Sequence, residues 1–239
     1  MARKTLVTQV VDAILDDIVA GTIAIGDGLP SEAEIAETHD VSRLTVREAI
    51  RTLQAQGVLR VKTGKGSYVN PVSEWTSFEA VLRVSAAGSS DGDVAVQLLE
   101  LRRIFEIGAT ALAAERRTDA DLIRMSALLE EMRIAHSGND VPQFVEADIA
   151  FHDVILKASH NIFLAAMFEP LTRVLRERRE QTSRIRDIQI HAISEHESIL
   201  RALESGDPSQ AQRAMQSHMT QTLEDLQTYV LKTESGTRL

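Results

Sequence analysis

The sequence predicts a mostly α-helical protein in two parts: an N-terminal winged helix-turn-helix and a C-terminal all-helical antiparallel bundle. Three observations carry that prediction. Apolar residues recur every three or four positions along most of the chain. One stretch near residue 60 changes to the two-residue alternation of strands. The composition, 44% apolar with 4% aromatic residues, suits helical cores built from Leu, Ile, Val and Ala, and 239 residues supply enough chain for two of them.

The elements follow in order. Leu6, Val7, Val10, Val11, Ile14, Leu15 and Ile18 hold the helical interval, and Gly21, Gly26, Gly28 and Pro30 forbid its continuation. Ser31 with Glu34 three residues later reads as a capping box opening a short second helix to about His39. After the turn "THDVS", Ser42 caps a third helix that runs to about Gln56 and stops at Gly57. "GVLRVKTGKGSYV" alternates, turns at "TGKG" and resumes with Tyr68 and Val69, a two-stranded hairpin. Pro71 closes this part, so residues 1–70 form the winged domain. Residues 71–92 read as a linker with a possible short helix at 75–86, and 93–239 as the bundle. Bundle helices are expected over 94–117, 119–136, 140–159, 161–181, 188–205 and 208–232. Asp119, Asp140 and Asp207-Pro208 serve as caps, and Gly138 and Gly206 as terminators.

Composition narrows the function classes. There is no cysteine, which excludes disulfides and thiolate metal sites and leaves His and carboxylates as the metal ligands. No stretch has the length and apolarity of a membrane span, and Met1 to Gln9 lacks the apolar core of a secretory signal, so a cytoplasmic protein is expected. The net charge of -9 opposes indiscriminate binding of polyphosphates. Yet Val41 to Gly66 carries Arg43, Arg47, Arg51, Arg60, Lys62 and Lys65 against Glu48 alone.

Positions 43, 47 and 51 leave one face of the third helix, while Leu44, Val46, Ala49, Ile50 and Leu53 are assigned to the opposite, buried face. A guanidinium can bond O6 and N7 of guanine together, and Ser42 and Thr45 at the helix N-terminus can donate to phosphate. Lys65 at the hairpin tip can reach a minor groove. Three arginines alone would better suit a solvated face paired with carboxylates. The turn before them and the basic hairpin after them favour DNA, with Arg47 as base reader, Arg43 on base or phosphate and Arg51 on the backbone.

In the bundle, Asp148 and His152 are one turn apart and can chelate a common ion, while His196 and His218 stand on two later helices. Spacing leaves open whether they converge, and each could be a core histidine bonded to a neighbour. His39, His136, His160 and His191 read as surface residues at helix ends or turns.

The stretch "LPSEAEIAETHDVSRLTVREAIRTLQAQGVLRVKTGKGSYV" resembles the DNA-binding domain of the GntR family of bacterial transcription regulators, a likeness covering nearly all of residues 6–70. Leu-Pro-Ser-Glu, Val-Ser-Arg, Val-Arg-Glu-Ala and Gly-Lys-Gly occur in the family's order and spacing. The resemblance implies DNA contacts by Arg43, Arg47 and Arg51 and a wing tip at Lys65 and Gly66. Ala33 departs from it, standing where the family usually has arginine. Residues 93 to 232 are similar to the FCD effector domain of the FadR-type branch, through "LLELRRIFEIGATALAAERRT", "DIAFHDVIL", "SHN" and "EHESILRAL". That similarity implies a divalent ion (zinc, nickel or manganese) on Asp148, His152, His196 and His218. It also implies an organic-acid effector held by Arg102, less so by Arg103, with Asn161 lining the pocket. Together they imply a homodimer on palindromic double-stranded operator DNA, a repressor released by a sugar acid or hydroxyacid, with no catalytic residue. Two other readings compete: a regulator answering to the ion itself, and a metallohydrolase, weakened by the lack of an "HExxH" or nucleophile motif.

Overall fold

The computed structural model describes residues 5–88 and 91–231, which fall into two compact units, 1–89 and 90–239. The first unit contains α1 (Leu6–Val19), α2 (Glu32–Thr38), α3 (Arg43–Ala55), β1 (Leu59–Lys62), β2 (Gly66–Val69), a 3₁₀ turn at Val72–Glu74 and α4 (Phe78–Gly88). Its helices begin where side-chain oxygens take up orphan amides. Thr5 accepts from Thr8 N, Ser42 accepts from Thr45 N, and Ser31 and Glu34 form a reciprocal capping box. Val10, Ile14, Val46, Ala49, Leu53, Val58 and Val69 are essentially inaccessible, so α1 and α3 close on each other and on the base of the hairpin.

The hairpin is antiparallel, with Leu59 opposite Val69 and Lys62 opposite Gly66. The segment before α2 joins its outer edge, through Leu29 N to Ser67 O at 2.8 Å and Val69 N to Asp27 O at 2.9 Å. Asn70 ties hairpin to helix: its side chain donates to Gly57 O at 2.8 Å and accepts from Arg60 at 2.6 Å. Its carbonyl receives the buried Trp75 indole N–H at 3.0 Å. Beyond Pro71, Trp75 and Ala80 enter the same core, and Arg83 of α4 bonds Asp12 and Asp16 of α1 at 3.0 and 2.5 Å.

The second unit contains α5 (Asp91–Arg116), α6 (Asp119–Gly138), α7 (Val141–Ala158), α8 (Ile162–Thr182), α9 (Arg186–Ser205) and α10 (Pro208–Asp225), closed by a π-helical turn at Leu226–Leu231. Two boundary devices differ from expectation. Thr118, not Asp119, caps α6 in a box with Asp121, and α6 ends on Asn139 in the left-handed conformation rather than at Gly138. Asp140, Asn161 and Asp207 cap α7, α8 and α10. Arg117 satisfies the end of α9 by donating to Leu203 O at 2.6 Å and Glu204 O at 3.0 Å. The core is aliphatic and Met-rich: Met125, Leu128, Met132, Phe144, Phe151, Ile155, Ile199, Leu203, Met215 and Met219.

Candidate functional sites

On the first unit, α3 buries Val46, Ala49, Ile50 and Leu53 and turns Arg43, Arg47 and Arg51 outward. Leu44 corrects the sequence assignment, because it is 67% exposed. At about 100° per residue it points within roughly 20° of Arg51 and opposite the buried stripe, so it belongs to the arginine face. Arg47 is held to Glu32 at the start of α2, with Nη2 2.7 Å and Nε 3.2 Å from the carboxylate, and Arg51 pairs with Glu48 at 2.7 Å. Ser42 and Thr45 share a hydroxyl–hydroxyl bond of 2.9 Å beside the helix N-terminus. At the wing tip Lys65 and Gly66 are exposed, and Lys62 lies 4.0 Å over the Tyr68 ring. Exposed guanidiniums, a helix N-terminus and a basic loop form a surface suited to polyanionic DNA.

In the second unit α7, α9 and α10 bring His152, His196 and His218 together. Each offers a ring nitrogen within 4.8 Å of the others. All three are buried, because each shares a helical face with core residues: Phe151 and Ile155, Ile199 and Leu200, Met215 and Met219. Nε2 of His152 lies 3.2 Å from Nε2 of His196, and Asp148 Oδ1 is 3.3 Å from the latter. Donors about one common ion at 2.0–2.1 Å would stand roughly 3.0–3.4 Å apart. Two of the rings face a partner on their far side. His196 Nδ1 donates to Ala192 O at 2.5 Å, and His152 Nδ1 faces Glu106 Oε2 at 2.5 Å. The first bond fixes the His196 tautomer, the Glu106 carboxylate favours a proton on His152 Nδ1, and both arrangements suit metal-binding histidines. His218 Nε2 is buried with no hydrogen-bond partner among the described residues. An orphaned imidazole beside two oriented ones and a carboxylate fits a divalent cation.

The electrostatics agree. Burial pushes all three imidazoles below their ordinary pKa, His196 to about 4, so they are neutral ligands at neutral pH. Burial alone would raise Asp148 and Glu106, but the guanidiniums beside them prevail and both stay ionised: Arg179 against Asp148, Arg102 against Glu106. Burial lowers Arg179 to about 10, which leaves it charged.

Two of these groups carry no short-range sequence signal. Glu106 accepts from Arg102 Nε at 2.6 Å and supports His152 from behind, and Arg179 bonds Asp148 directly. Arg102 is 5% exposed, and its Nη2 is buried without a hydrogen-bond partner among the described residues. It lines an open cavity of about 120 Å³ together with His218, Arg179, Gln221 and Asp225. Arg103 is half-buried and absent from that lining. Asn161 is not brought there either; its Oδ1 caps α8 by accepting from Phe163 N at 3.1 Å. His191 keeps a side chain 39% exposed, lies within α9, and places its Nδ1 2.9 Å from the buried Asp225.

Comparison with known proteins bears on both units. The family model "Bacterial regulatory proteins, gntR family" matches residues 6–69, and the FCD domain model matches residues 97–221. The HTH-type transcriptional regulator LutR of Bacillus subtilis is 34% identical over 214 residues, spanning 87% of this chain and 95% of the relative. The galactonate operon transcriptional repressor of Escherichia coli is 29% identical over 208 residues, 86% and 90% of the two chains. The solved structure of Lar, which controls the agr system of Listeria monocytogenes, shares the fold with a TM-score of 0.63 at 22% identity, covering 95% of this chain and all of the other.

Proposed function

This chain belongs to the GntR family of bacterial transcription regulators and carries an FCD domain, and from that premise we propose that it is a homodimeric repressor released from its operator by a small carboxylate. One observation supports the carboxylate above others. Two buried and unpartnered groups, Arg102 Nη2 and His218 Nε2, line one cavity. A carboxylate is the common ligand that answers both, through a charge-assisted bond to the guanidinium and through an ion held by the imidazoles. Asp148, His152, His196 and His218 would hold that ion, and when bound it supplies open coordination positions for oxygen ligands. Arg179 takes the role that the family resemblance gave to Asn161, because it lines the cavity while anchoring Asp148. Zinc, nickel or manganese suits this donor set, and the latter two accept six ligands more readily.

On the DNA side, Arg47 reads a base, Arg43 a base or phosphate, and Arg51 a phosphate, with Ser42, Thr45, Lys65 and Gly66 on the backbone and wing. A dimer sets two such helices at the spacing of a palindromic site, within the cytoplasm where the DNA lies. The effector acts only by binding the two arrangements of the DNA-binding units with different affinity.

The test is selection of an operator from random duplex DNA, followed by gel-shift titration of the whole chain with sugar acids and hydroxyacids, with and without chelator. Release of DNA by an acid only in the presence of metal supports the proposal. Release by metal alone would favour the ion as effector, and DNA binding indifferent to Arg47→Ala would remove the base-reading assignment.

A further inference from the structure

The cavity beside the histidine cluster has a second polar end. His218 and Asp225 are seven residues apart on α10, so they leave nearly the same face, two turns or roughly 10 Å apart along the axis. Gln221 and Thr222 lie between them, and all four line the same cavity. Asp225 is 5% exposed although it is ionisable and close to the end of its helix. Its Oδ1 accepts from Gln221 Nε2 at 3.0 Å and lies 2.9 Å from His191 Nδ1. A carboxylate has about four acceptor positions, so it retains capacity for a donor arriving through the cavity. The rest of the lining mixes apolar residues, Leu98, Leu99, Leu175 and Ile188, with Arg178, Gln181 and Thr182.

Along α10 the cavity therefore offers a metal-type group at His218 and an acceptor at Asp225. A bound ion's coordination bond takes about 2 Å and a hydrogen bond to Asp225 about 3 Å of the 10 Å between them. Roughly 5 Å remains between the carboxylate oxygen and the donor atom, the span of about three carbons. We propose that Asp225, oriented by His191 and Gln221, is a distal subsite selecting monocarboxylates that carry a hydrogen-bond donor at the far end of such a chain. Short acids leave the subsite unused, and dicarboxylates set a second anion against Asp225. The inference rests on the carboxylate reading above and adds the chemistry of the effector's other end.

Calorimetric titration of the metal-loaded full chain tests it with acids that share one end and differ at the other. The set is acetate, propionate, 3-hydroxypropionate, 3-aminopropionate and succinate. 3-Hydroxypropionate or its amino counterpart should bind at least tenfold more tightly than propionate, with succinate weaker than both; which donor leads identifies hydroxyl or ammonium. Asp225→Asn keeps an oxygen for His191 and Gln221 and should raise succinate affinity about tenfold while leaving acetate unchanged. Propionate and both donor-bearing acids binding within twofold in the wild type overturns the subsite, as does succinate binding as well as they do, and this ranking decides even where the variant fails to fold. Binding of acetate and propionate without discrimination by the far end leaves the carboxylate reading standing and sinks only the subsite. Failure of every acid, acetate included, overturns both.

Discussion

Replacing Glu106 by glutamine removes a negative charge with almost no change of shape, at a position 1% exposed. Glu106 is the partner of Arg102 at 2.6 Å and of His152 at 2.5 Å. Breaking one side of a buried ion pair costs about 3–5 kcal/mol, since the remaining charge is left uncompensated. The amide oxygen of glutamine still accepts one of the two bonds, while its NH₂ group meets a donor at the other. The expected loss is therefore near the lower bound, about 3 kcal/mol, in urea unfolding with chelator present. Metal affinity should fall separately, by about 10–100-fold, because His152 loses the group that orients it. Competition against a chelator of known affinity reads that second effect. The double variant Glu106→Gln/Arg102→Gln should recover much of the lost stability without recovering metal affinity, since the stranded cation is gone but the support of His152 is not. A single variant with the wild-type urea midpoint and metal affinity within threefold would refute the argument that Glu106 anchors both neighbours.

Three further outcomes follow from the same structure. Because His196 titrates near about 4 when folded and near 6.5 when unfolded, the unfolded chain takes up its proton first as pH falls. The metal-free protein should thus lose stability from pH 6.5 downward through about 4, by up to roughly 3 kcal/mol from this group alone; equal urea midpoints at pH 7.5 and 5 would contradict its burial in the neutral form. Gly57 has φ +72° and an added Cβ would lie 2.4 Å from Glu74 O, so Gly57→Ala should destabilise the first unit by about 2–4 kcal/mol, seen as a lower melting temperature. Leu44→Ala should leave stability within about 0.5 kcal/mol, because the side chain is exposed, yet change base preference in operator selection where a thymine methyl is contacted. An unchanged selected sequence would remove Leu44 from the DNA face.

What could be read from the sequence was what obeys a local rule. Helix order, the Ser31 capping box and the Asp148–His152 pair all rest on spacings of three or four residues. Leu44 failed because apolar character was used in place of angle; its direction on the helix sets it with Arg51. Glu106 was invisible for a different reason. At four residues from Arg102 it reads as an ordinary surface pair, and only the packing of α5 against α7 brings His152 behind it. Arg179 lies in the run "RERRE", whose composition suggests a solvated face, and Asp225 lies seven residues past a histidine with no partner nearby in sequence. Convergence of His196 and His218 with His152 likewise depends on how α7, α9 and α10 cross, which no periodicity encodes.

The buried groups also resolve how an acidic chain can attract an anion. Around the cluster stand two guanidiniums, Arg102 and Arg179, two carboxylates, Glu106 and Asp148, and three neutral imidazoles. These charges cancel, and each guanidinium is already engaged by a carboxylate. Residues alone therefore give the cavity little net pull on an acid. A divalent ion on the imidazoles and Asp148 leaves two positive charges uncompensated in a poorly solvated place, where Coulomb interactions are strong. Acid affinity should thus rise with metal loading, and by linkage the ion should bind more tightly, by the same factor, when the acid is present. Measuring the two affinities each with and without the other partner closes a four-state cycle. A coupling factor of one, each affinity unchanged by the other partner, would mean that acid and ion do not share this site, and acid binding undiminished by chelator would place the acid on the arginines alone.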